Sequence, residues 1–457
     1  MSARAGLARR AADLALAALV LAGCAAVLLA RAPRRRRVRR VERDRPRLLA
    51  IDSVYSLDVL RARGAEHFVT HRDLDGYFEH VWNVHPLVGA RPDCPPHEAV
   101  GPPTVTALNP AHTMIEGRVR RFAALARMPY LDFACAQAQL VLMLDRIVTR
   151  EGVGILRGDP YYHGLLALLL SRLHGRPMEA RVVGNHDAIY EATGVLAYPR
   201  LFPWRALEQR VARFTLSRAD SVVVGSDDNR AFALRNGARA ERVTRLSNGS
   251  MVNPLHLAEP GARPRVADEF GFGDRRIVMC VTRLEAMKHP QDVVRAVAAA
   301  RRGDRRIAAL IVGEGAMRTE LEQLCDALGV REDVVFAGDR DQRWIASMLT
   351  QSAVVVAPIA GLALVESALS GTPIVAYDVE WHSELLRSPQ EALLVPYRDT
   401  DAMADAIRAL ADDPERAASV AAAARARVLE HVRPDKLIAD ERALAGRLLA
   451  TAVPTAS

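Results

Sequence analysis

The 457-residue chain has few of the residues that build metal-bound or disulfide-linked folds. Its five cysteines are Cys24, Cys94, Cys135, Cys280 and Cys325, and no two of them form a Cys-x-x-Cys pair. This scatter argues against a zinc site and a disulfide framework, and it predicts buried thiols in a reducing compartment. The histidines also lack the spacing of metal ligands, so we predict no metal and no cofactor.

Lysine is nearly absent. The 62 basic residues comprise 60 arginines and only two lysines, Lys288 and Lys436. A compact ammonium group on a flexible stem differs chemically from a planar guanidinium group. A lysine retained at position 288, soon after an apolar run, therefore points to a site that needs an ammonium group. The alternative is a surface lysine kept by chance.

The net charge of +8 is unevenly distributed. Residues 1–45 contain twelve arginines and three acidic residues, a local charge of +9 that leaves about −1 for the rest of the chain. Half of all residues are apolar and a quarter are charged, which is typical of a globular protein. Because the body carries almost no net charge, we predict no nucleic-acid partner.

A long apolar segment, Ala11–Ala30, lies near the N-terminus and is followed by the basic cluster Arg31–Arg40. Its length matches the ~20 residues of a membrane-spanning helix. Seven arginines follow it and three precede it, which predicts a single-pass membrane anchor with the body in the cytoplasm. The cluster would also attract anionic lipid headgroups. A lipoprotein signal ending at Cys24 and a cleaved signal peptide are the alternatives.

From Arg47 onward, short apolar runs alternate with amphipathic segments, which predicts an α/β fold with parallel sheets covered on both faces. The predicted strands are Leu48–Ile51, Val153–Leu156, Arg181–Val183, Ser221–Val224, Ile277–Val281, Ile307–Val312, Val334–Ala337, Val354–Ala357 and Ile374–Ala376. Predicted helices include Pro290–Arg302 and Met317–Leu328. These strands are too many for one open sheet of ordinary size.

We therefore predict two Rossmann-like, doubly wound domains that face a cleft. The predicted parts are a membrane anchor and basic cluster (1–45), a first domain (46–258), a second domain (259–430) and a C-terminal helix that crosses back to the first domain (431–457). The stretch Ala258–Arg265, rich in proline and glycine, marks the break between the two domains. Pro434 should end or kink the helical tail.

One strand-turn-helix-strand unit, from Ala353 to Tyr377, contains the most specific signal. The turn at Gly361-Leu362 leads into a helix that carries Glu366. A helix N-terminus presents free N–H groups and suits a phosphate. A carboxylate one turn later can accept hydrogen bonds from sugar hydroxyls. The unit predicts a nucleotide-sugar site, and an ordinary βαβ unit with a surface glutamate is the alternative.

Two other strand ends contribute candidate residues at the same sheet edge. Arg283 and Lys288 follow the first strand of the second domain and would offer two cations to a diphosphate. Gly313 and Gly315 follow the next strand. Glycines there allow the backbone to approach a ligand closely, although a simple tight turn explains them equally well.

In the first domain, His186 directly follows a predicted strand and should face the cleft, with a pKa near neutrality. It could contact the transferred sugar or the leaving phosphate, and a structural histidine is the alternative. Arg157 and Asp159 follow another strand and should line the same edge. Asp159 could contact an acceptor hydroxyl or cap a helix.

Together these residues resemble the retaining GT-B glycosyltransferases of family 4. The resemblance runs from about Leu48 to Leu449 and is strongest from Arg283 to Asp378. The positions that match the family motifs are Arg283, Leu284, Lys288, Gly313, Gly315, Gly361, Leu362, Glu366, Gly371, Pro373 and Ala376, with Ser226, Asn248, Gly249 and the pair His186-Asp187 in the first domain. The chain departs from the family at His289, where a glycine is usual, and at Pro358, where the first glutamate of an E-x7-E pair would stand.

The resemblance implies sugar transfer from a nucleotide-diphosphate sugar with retention at the anomeric carbon. It implies that Arg283, Lys288, Gly313, Gly315, Gly361, Leu362 and Glu366 bind the donor, and that His186, Lys288 and Arg283 carry the chemistry without a metal. The predicted anchor suggests a lipid-linked or cell-envelope acceptor, so membrane, nucleotide sugar and glycan are the predicted partners. A non-catalytic nucleotide-sugar-binding protein, suggested by Pro358, and a nucleotide-sugar epimerase of the same fold are the alternatives.

Overall fold

The computed structural model describes residues 3–31, 44–90, 99–197, 200–247, 252–258, 267–304, 306–379 and 381–451. Within these ranges the chain forms two separate sheets, one of eight strands and one of six. Helices cover both sheets, and this arrangement confirms the predicted α/β class with two Rossmann-like domains.

The first sheet is almost entirely parallel. Its strands are β1 (Arg47–Ile51), β2 (His80–Val88), β3 (Thr104–Asn109), β4 (His112–Arg118), β5 (Ile155–Gly158), β6 (Met178–Val182), β7 (Ser221–Val224) and β8 (Val243–Arg245). They lie in the order β3-β4-β2-β1-β5-β6-β7-β8. Only the edge pair β3–β4 is antiparallel.

The second sheet is parallel throughout. Its strands are β9 (Arg276–Val281), β10 (Ile307–Val312), β11 (Val334–Gly338), β12 (Val354–Ala357), β13 (Ile374–Tyr377) and β14 (Leu393–Val395). They lie in the order β11-β10-β9-β12-β13-β14. All six residues of β10 are buried, because helices cover both faces of the sheet.

Seventeen α-helices occur in the described ranges. The first nine are α1 (Ala3–Arg31), α2 (Leu57–Ala62), α3 (His67–Thr70), α4 (Pro129–Glu151), α5 (Tyr162–His174), α6 (His186–Thr193), α7 (Arg205–Leu216), α8 (Asp227–Arg235) and α9 (Pro254–Leu257). The others are α10 (Pro290–Arg301), α11 (Arg318–Ala327), α12 (Gln342–Leu349), α13 (Leu362–Leu369), α14 (His382–Leu385), α15 (Thr400–Ala411), α16 (Pro414–His431) and α17 (Pro434–Thr451).

Aspartate side chains set the start of three helices in the second domain. Asp341, Asp399 and Asp413 each accept a hydrogen bond from the backbone N–H three residues later, at 2.8, 2.8 and 3.0 Å. Such a cap stabilises a helix by ~1 kcal/mol. These caps place the first turns of α12, α15 and α16.

The apolar helix α1 lies along the first domain. By length and composition its stretch Ala12–Ala30 is sufficient to cross a bilayer. One side of it packs on the body, where Ala17 is buried with Phe122, Leu125 and Cys135. Most of the stretch is exposed, since 11% of it is buried. The exposed apolar surface is the surface that a lipid environment would cover.

The C-terminal helix α17 packs on the first sheet although it follows the second domain in sequence. Its residues Leu444 and Leu448 share a buried cluster with Leu48 and Ala50 of β1. Arg442 donates hydrogen bonds to the backbone carbonyl of residue 74 at 2.7 and 3.0 Å. The first domain is therefore completed by the last helix of the chain.

Candidate active site

A cavity of about 530 Å³ lies between the two domains at the carboxyl ends of their strands. Ligands of open parallel sheets bind where the strand order reverses, which is between β1 and β5 in one sheet and between β9 and β12 in the other. The cavity is lined by a residue that follows each of these four strands: Asp52, Asp159, Lys288 and Ile359. Its position makes it the candidate active site.

Lys288 lines the second-domain wall, as predicted from the sequence. It ends a 3-10 turn, Ala286–Lys288, and the next residue, His289, has a left-handed φ of 52°. This φ is uncommon for a non-glycine residue and turns the chain sharply into α10. Met287 and Lys288 therefore reach the cavity, while His289 lies behind them with 2% of its surface exposed.

The N-terminus of α13 opens onto the same wall. Gly361 and Leu362 line the cavity, and a Cβ added at Gly361 would meet no atom within 4 Å. The preceding turn is fixed by His382, whose ring nitrogens lie 3.2 Å from the amide nitrogen of Ala360 and 2.8 Å from the carbonyl oxygen of Tyr377. An open helix start beside an ammonium group suits an anionic ligand.

Glu366 lies deeper in α13 and is only 5% exposed. It is not among the described residues that line the cavity, and its carboxylate is 3.8 Å from Nε2 of His256. Burial raises the pKa of Glu366 to about 8, so its carboxyl group is mostly protonated at neutral pH. A neutral acid can donate as well as accept a hydrogen bond. Its contact with a ribose stays a prediction.

Arg283 follows β9 but is also not among the described lining residues. Its guanidinium group donates to Glu285 at 2.8 Å and is about one third exposed. The sequence predicted that Arg283, Lys288 and Glu366 bind the donor together. Of these three, only Lys288 is among the described residues that line the cavity, and a role for the other two in donor binding remains a prediction.

Gly313 and Gly315 lie against the loop that carries Arg283. A Cβ on Gly313 would lie 2.0 Å from the carbonyl oxygen of Thr282, and one on Gly315 would lie 2.4 Å from that of Leu284. Glycine is required there because the β10 loop packs directly on the β9 loop. This packing explains both residues without a ligand.

His186 begins α6, and its ring packs edge-on against Tyr161 and Phe232, with ring centroids 5.2 and 6.1 Å apart. Burial lowers the pKa of His186 to about 4, below the near-neutral value expected from the sequence. Its neighbours Gly184 and Ala188 line the cavity, whereas His186 is not among the described lining residues. At neutral pH it is an uncharged imidazole.

The first-domain wall carries buried charges arranged in pairs. The pairs are Arg72 with Asp52 at 2.8 Å, Arg157 with Glu179 at 2.8 Å, and Arg181 with Glu441 at 2.5 Å. Burial alone would raise the pKa of Glu441, but the two nearest arginines outweigh burial and hold it at about 2. Each arginine is thus matched by a carboxylate.

Asp159 was predicted as either an acceptor contact or a helix cap. It lies just before α5, whose N-cap Tyr161 has no side-chain capping hydrogen bond, and the acceptor contact stays a prediction. Asp159 lines the cavity, and its carboxylate accepts a hydrogen bond from the backbone N–H of Tyr161 at 2.7 Å. The same carboxylate contacts Nδ1 of His163. These contacts fix the start of α5.

Sequence reasoning missed three lining residues of the first domain, Asp52, Arg72 and Arg181, as functional candidates. Arg181 did carry a signal, because a charged residue inside an otherwise buried strand needs a partner. Ser226, which was matched to the family, caps α8 by accepting from the N–H of Asn229 at 3.1 Å and also lines the cavity. Asn248 and Gly249 lie outside the described residues.

No group of three or more His, Cys, Asp or Glu side chains in the described ranges is placed to hold a metal ion. Of the five cysteines, the structure describes four; these carry free thiols, and three of them are buried. Donor binding without a metal stays a prediction.

Solved structures share this architecture over nearly the whole chain. Sucrose-phosphate synthase from Thermosynechococcus elongatus superposes with a TM-score of 0.67 at 20% identity, covering 89% of this chain and 100% of that one. Anabaena HepE in complex with UDP and glucose superposes with a TM-score of 0.66 at 16% identity, covering 88% and 100%. At these identities the likeness defines the fold, which is GT-B.

Sequence relatives are similar over shorter stretches. The alpha-D-kanosaminyltransferase of Streptomyces kanamyceticus is 30% identical over 255 residues, 54% of this chain and 64% of the relative. The GDP-mannose-dependent alpha-(1-6)-phosphatidylinositol monomannoside mannosyltransferase of Mycolicibacterium smegmatis is 30% identical over 178 residues, 36% of this chain and 47% of the relative. The aligned stretch thus spans less than two thirds of either relative.

The family of the second domain is clear from its sequence. Residues 264–427 match the family described as glycosyl transferases group 1. The chain thus has a GT-B fold, and its second domain is similar to the glycosyl transferases of group 1.

Proposed function

We propose that the protein transfers a sugar from a nucleotide-diphosphate sugar to an acceptor, with retention of the anomeric configuration. The observation that carries this proposal is the interdomain cavity of a GT-B fold, with Lys288 and the start of α13 on one wall. An ammonium group and a helix N-terminus suit a diphosphate. The named relatives are glycosyltransferases, one of them GDP-mannose-dependent, and the HepE neighbour contains UDP, which supports a nucleotide-sugar donor.

The proposed chemistry is electrostatic. As the bond between the sugar and the diphosphate breaks, negative charge grows on the leaving group, and Lys288 would stabilise it together with the α13 N-terminus. Arg283, on the same loop, would add a second cation. One such preorganised contact accelerates a reaction by ~10²–10³-fold. The acceptor oxygen would bond to the anomeric carbon as the bond to the diphosphate breaks, and its proton would pass to the departing diphosphate, so the reaction would need neither a separate base nor a metal.

His186 would contribute as a neutral group. Because its pKa is lowered to about 4, its imidazole is uncharged at neutral pH and would orient the sugar or the leaving phosphate through a hydrogen bond. It would not act as an acid.

We further propose a lipid-linked or cell-envelope acceptor and a cytoplasm-facing body. The apolar helix α1 and the basic cluster after it support a membrane location. The mycobacterial relative, by its name, acts on a phosphatidylinositol monomannoside, which supports a lipid acceptor. The acceptor would lie against the first-domain wall, where Asp52 and Asp159 can accept hydrogen bonds from hydroxyl groups.

A transfer assay on membranes that contain the full-length protein tests the proposal. Radiolabelled sugar from UDP-glucose or GDP-mannose should enter a lipid or polymer fraction. Lys288→Ala should lower the rate by ~10²–10³-fold, because it removes a charge that stabilises the leaving group. Lys436→Ala, the matched control at an exposed position of α17, should stay within about threefold of the wild type.

Two outcomes would favour the alternatives. Nucleotide-sugar binding without turnover would indicate a non-catalytic binding protein, which Pro358 suggests. Rearrangement of the donor sugar without an acceptor would indicate an epimerase. The transferase proposal would be refuted if neither hydrolysis nor transfer were observed with any nucleotide sugar.

A further inference from the structure

The second-domain wall of the cavity offers few side chains that can accept a hydrogen bond. Among its described lining residues, only Lys288, Trp381 and Tyr397 carry a side-chain nitrogen or oxygen. The ammonium group and the indole N–H only donate, whereas the phenol oxygen can also accept. A sugar presents hydroxyl donors, so among these side chains only Tyr397 can accept from one.

The proton of the Tyr397 hydroxyl is committed away from the cavity. The hydroxyl lies 2.9 Å from Nε2 of His289, and Nδ1 of His289 lies 3.3 Å from the carboxylate of Asp292. Asp292 also accepts a hydrogen bond from Tyr377 at 2.9 Å. Burial would raise the pKa of Asp292, but hydrogen bonds from His289 and Tyr377 lower it, so the carboxylate is ionised and only accepts.

The tautomer of His289 follows from this arrangement. An ionised Asp292 favours a proton on Nδ1, and in the singly protonated ring this places the lone pair on Nε2, which faces Tyr397. The Gln291 amide nitrogen is 3.4 Å from Nδ1, but it is uncharged, so the carboxylate determines the tautomer. Tyr397 therefore donates its proton to His289, and its oxygen keeps a lone pair that can accept a hydrogen bond.

The position of the Tyr397 ring is fixed as well. The centroid of the Tyr397 ring lies 5.4 Å from that of His289 and 5.6 Å from that of Tyr377, and both contacts are edge-on. Tyr397 is 39% exposed, although both of its ring partners are buried. The β14 loop is thus joined to the β9 loop beside Lys288.

We propose that Tyr397 recognises the transferred sugar by accepting a hydrogen bond from one of its hydroxyl groups, and that His289 is the positioning residue that holds the phenol in this role. The inference rests on the proposed function and deepens it. Lys288 and Tyr397 divide the donor between them: the ammonium group contacts the diphosphate, and the phenol contacts the sugar.

Titration calorimetry of the full-length protein separates the two contacts. The probes are UDP with UDP-glucose, and GDP with GDP-mannose. Tyr397→Phe should weaken binding of the sugar nucleotide by about tenfold, the effect of one lost hydrogen bond, and change binding of the bare nucleotide less than twofold. Tyr162→Phe is the matched control, because its hydroxyl donates to Gln137 at 2.8 Å away from the cavity lining.

His289→Asn tests the positioning role. Asparagine tolerates a left-handed φ, so the turn should persist while the imidazole is lost. We expect sugar-nucleotide binding to weaken three- to tenfold in the presence of Tyr397 and to stay unchanged in the Tyr397→Phe background. Such non-additivity is the signature of two residues that act as a unit.

Three results would overturn the proposal. If Tyr397→Phe weakened binding of the bare nucleotide and of the sugar nucleotide equally, Tyr397 would not contact the sugar. If His289→Asn weakened sugar-nucleotide binding as much in the Tyr397→Phe background as in the presence of Tyr397, His289 would be merely structural. If none of the four probes bound the wild type, this inference would fail for uridine and guanosine donors, whereas the proposed function would fail only if no nucleotide sugar were hydrolysed or transferred.

Discussion

The two walls of the cavity use charge in opposite ways. The first-domain wall contains three buried arginines, Arg72, Arg157 and Arg181, each paired with a carboxylate of the protein. The second-domain wall presents a single ammonium group, a phenol and a helix start among apolar residues, with Lys288 and Tyr397 as its main polar contacts. The arginines of the first-domain wall are neutralised by carboxylates of the protein, whereas the second-domain wall has groups suited to binding an anionic ligand.

This difference separates stability from binding. Removing one member of a buried ion pair leaves an uncompensated charge, so changes in the first wall should mainly affect folding. Changes in the second wall should mainly affect ligand affinity and rate. Three substitutions probe the comparison, beginning with the largest expected effect.

The strongest test on the first wall is Glu441→Gln. It removes the carboxylate that pairs with Arg181 and lies 3.8 Å from Arg157. The free energy of unfolding should fall by ~3–5 kcal/mol, measured by urea denaturation. Asp440→Asn, one residue earlier and exposed, should change it by less than ~0.5 kcal/mol. A loss below ~1 kcal/mol for Glu441→Gln would contradict the account of this wall.

Beneath the second wall, Glu366 should give a pH-dependent penalty. Its pKa is about 8 in the folded protein and ~4.3 in the unfolded chain, so unfolding releases its proton between these values. Stability should fall as pH rises through that window, by at most ~1.4 kcal/mol per pH unit.

The variant Glu366→Gln should lose this slope. Unfolding in urea at several values from pH 5 to pH 8 should show the variant gaining stability relative to the wild type as pH rises. Glu332→Gln, at an exposed position, should run parallel to the wild type. Parallel curves for Glu366→Gln would mean that the carboxylate ionises normally.

The smallest effect is expected where the two domains meet. The carboxylate of Glu384 accepts hydrogen bonds from the N–H groups of Asp227 and Asp228 at 2.9 and 3.2 Å, and from Arg245 at 3.0 Å. It is an anion at the start of α8, and such a charge contributes ~0.3–1 kcal/mol.

Glu384→Gln should therefore weaken this contact between the two domains by about that amount. Small-angle scattering should show a slightly larger radius of gyration, and the free energy of unfolding should change little. An unchanged scattering profile at low and high salt would show that Glu384 does not hold the domains together.

Much of the fold could be predicted because buried parallel strands are continuous apolar runs. All nine predicted strands are present, with shifts of two or three residues at β5 and β6. The strands not predicted have other patterns: β2 contains two histidines and Pro86, and β3 alternates between partly buried and exposed residues at the sheet edge. A strand with polar residues or with alternating exposure carries a weaker signal than a continuous apolar run.

The site could be predicted less well, because its geometry depends on residues far apart in sequence. Lys288, Gly361 and Leu362 lie on the cavity, and each belongs to a loop or helix start that comes after a strand the pattern reveals. The contact of Tyr397 with His289 spans 108 residues, and its signal is absent from any local window.

Burial was equally hard to foresee. The sequence places His186 directly after a strand and Glu366 one turn into a helix, but it does not show how much surrounding protein covers them. The pKa of one is raised and that of the other is lowered for the same reason, the loss of solvent around a charge.

The packing of α17 bears on how this protein can be divided for engineering. A fragment that stopped before residue 434 would lack Leu444 and Leu448 and would expose the apolar surface of β1 that they cover. Arg181 would also lose Glu441. Chimeras that exchange specificity between members of this class should therefore transfer residues 434–451 together with the N-terminal half, as one unit made from two pieces of chain.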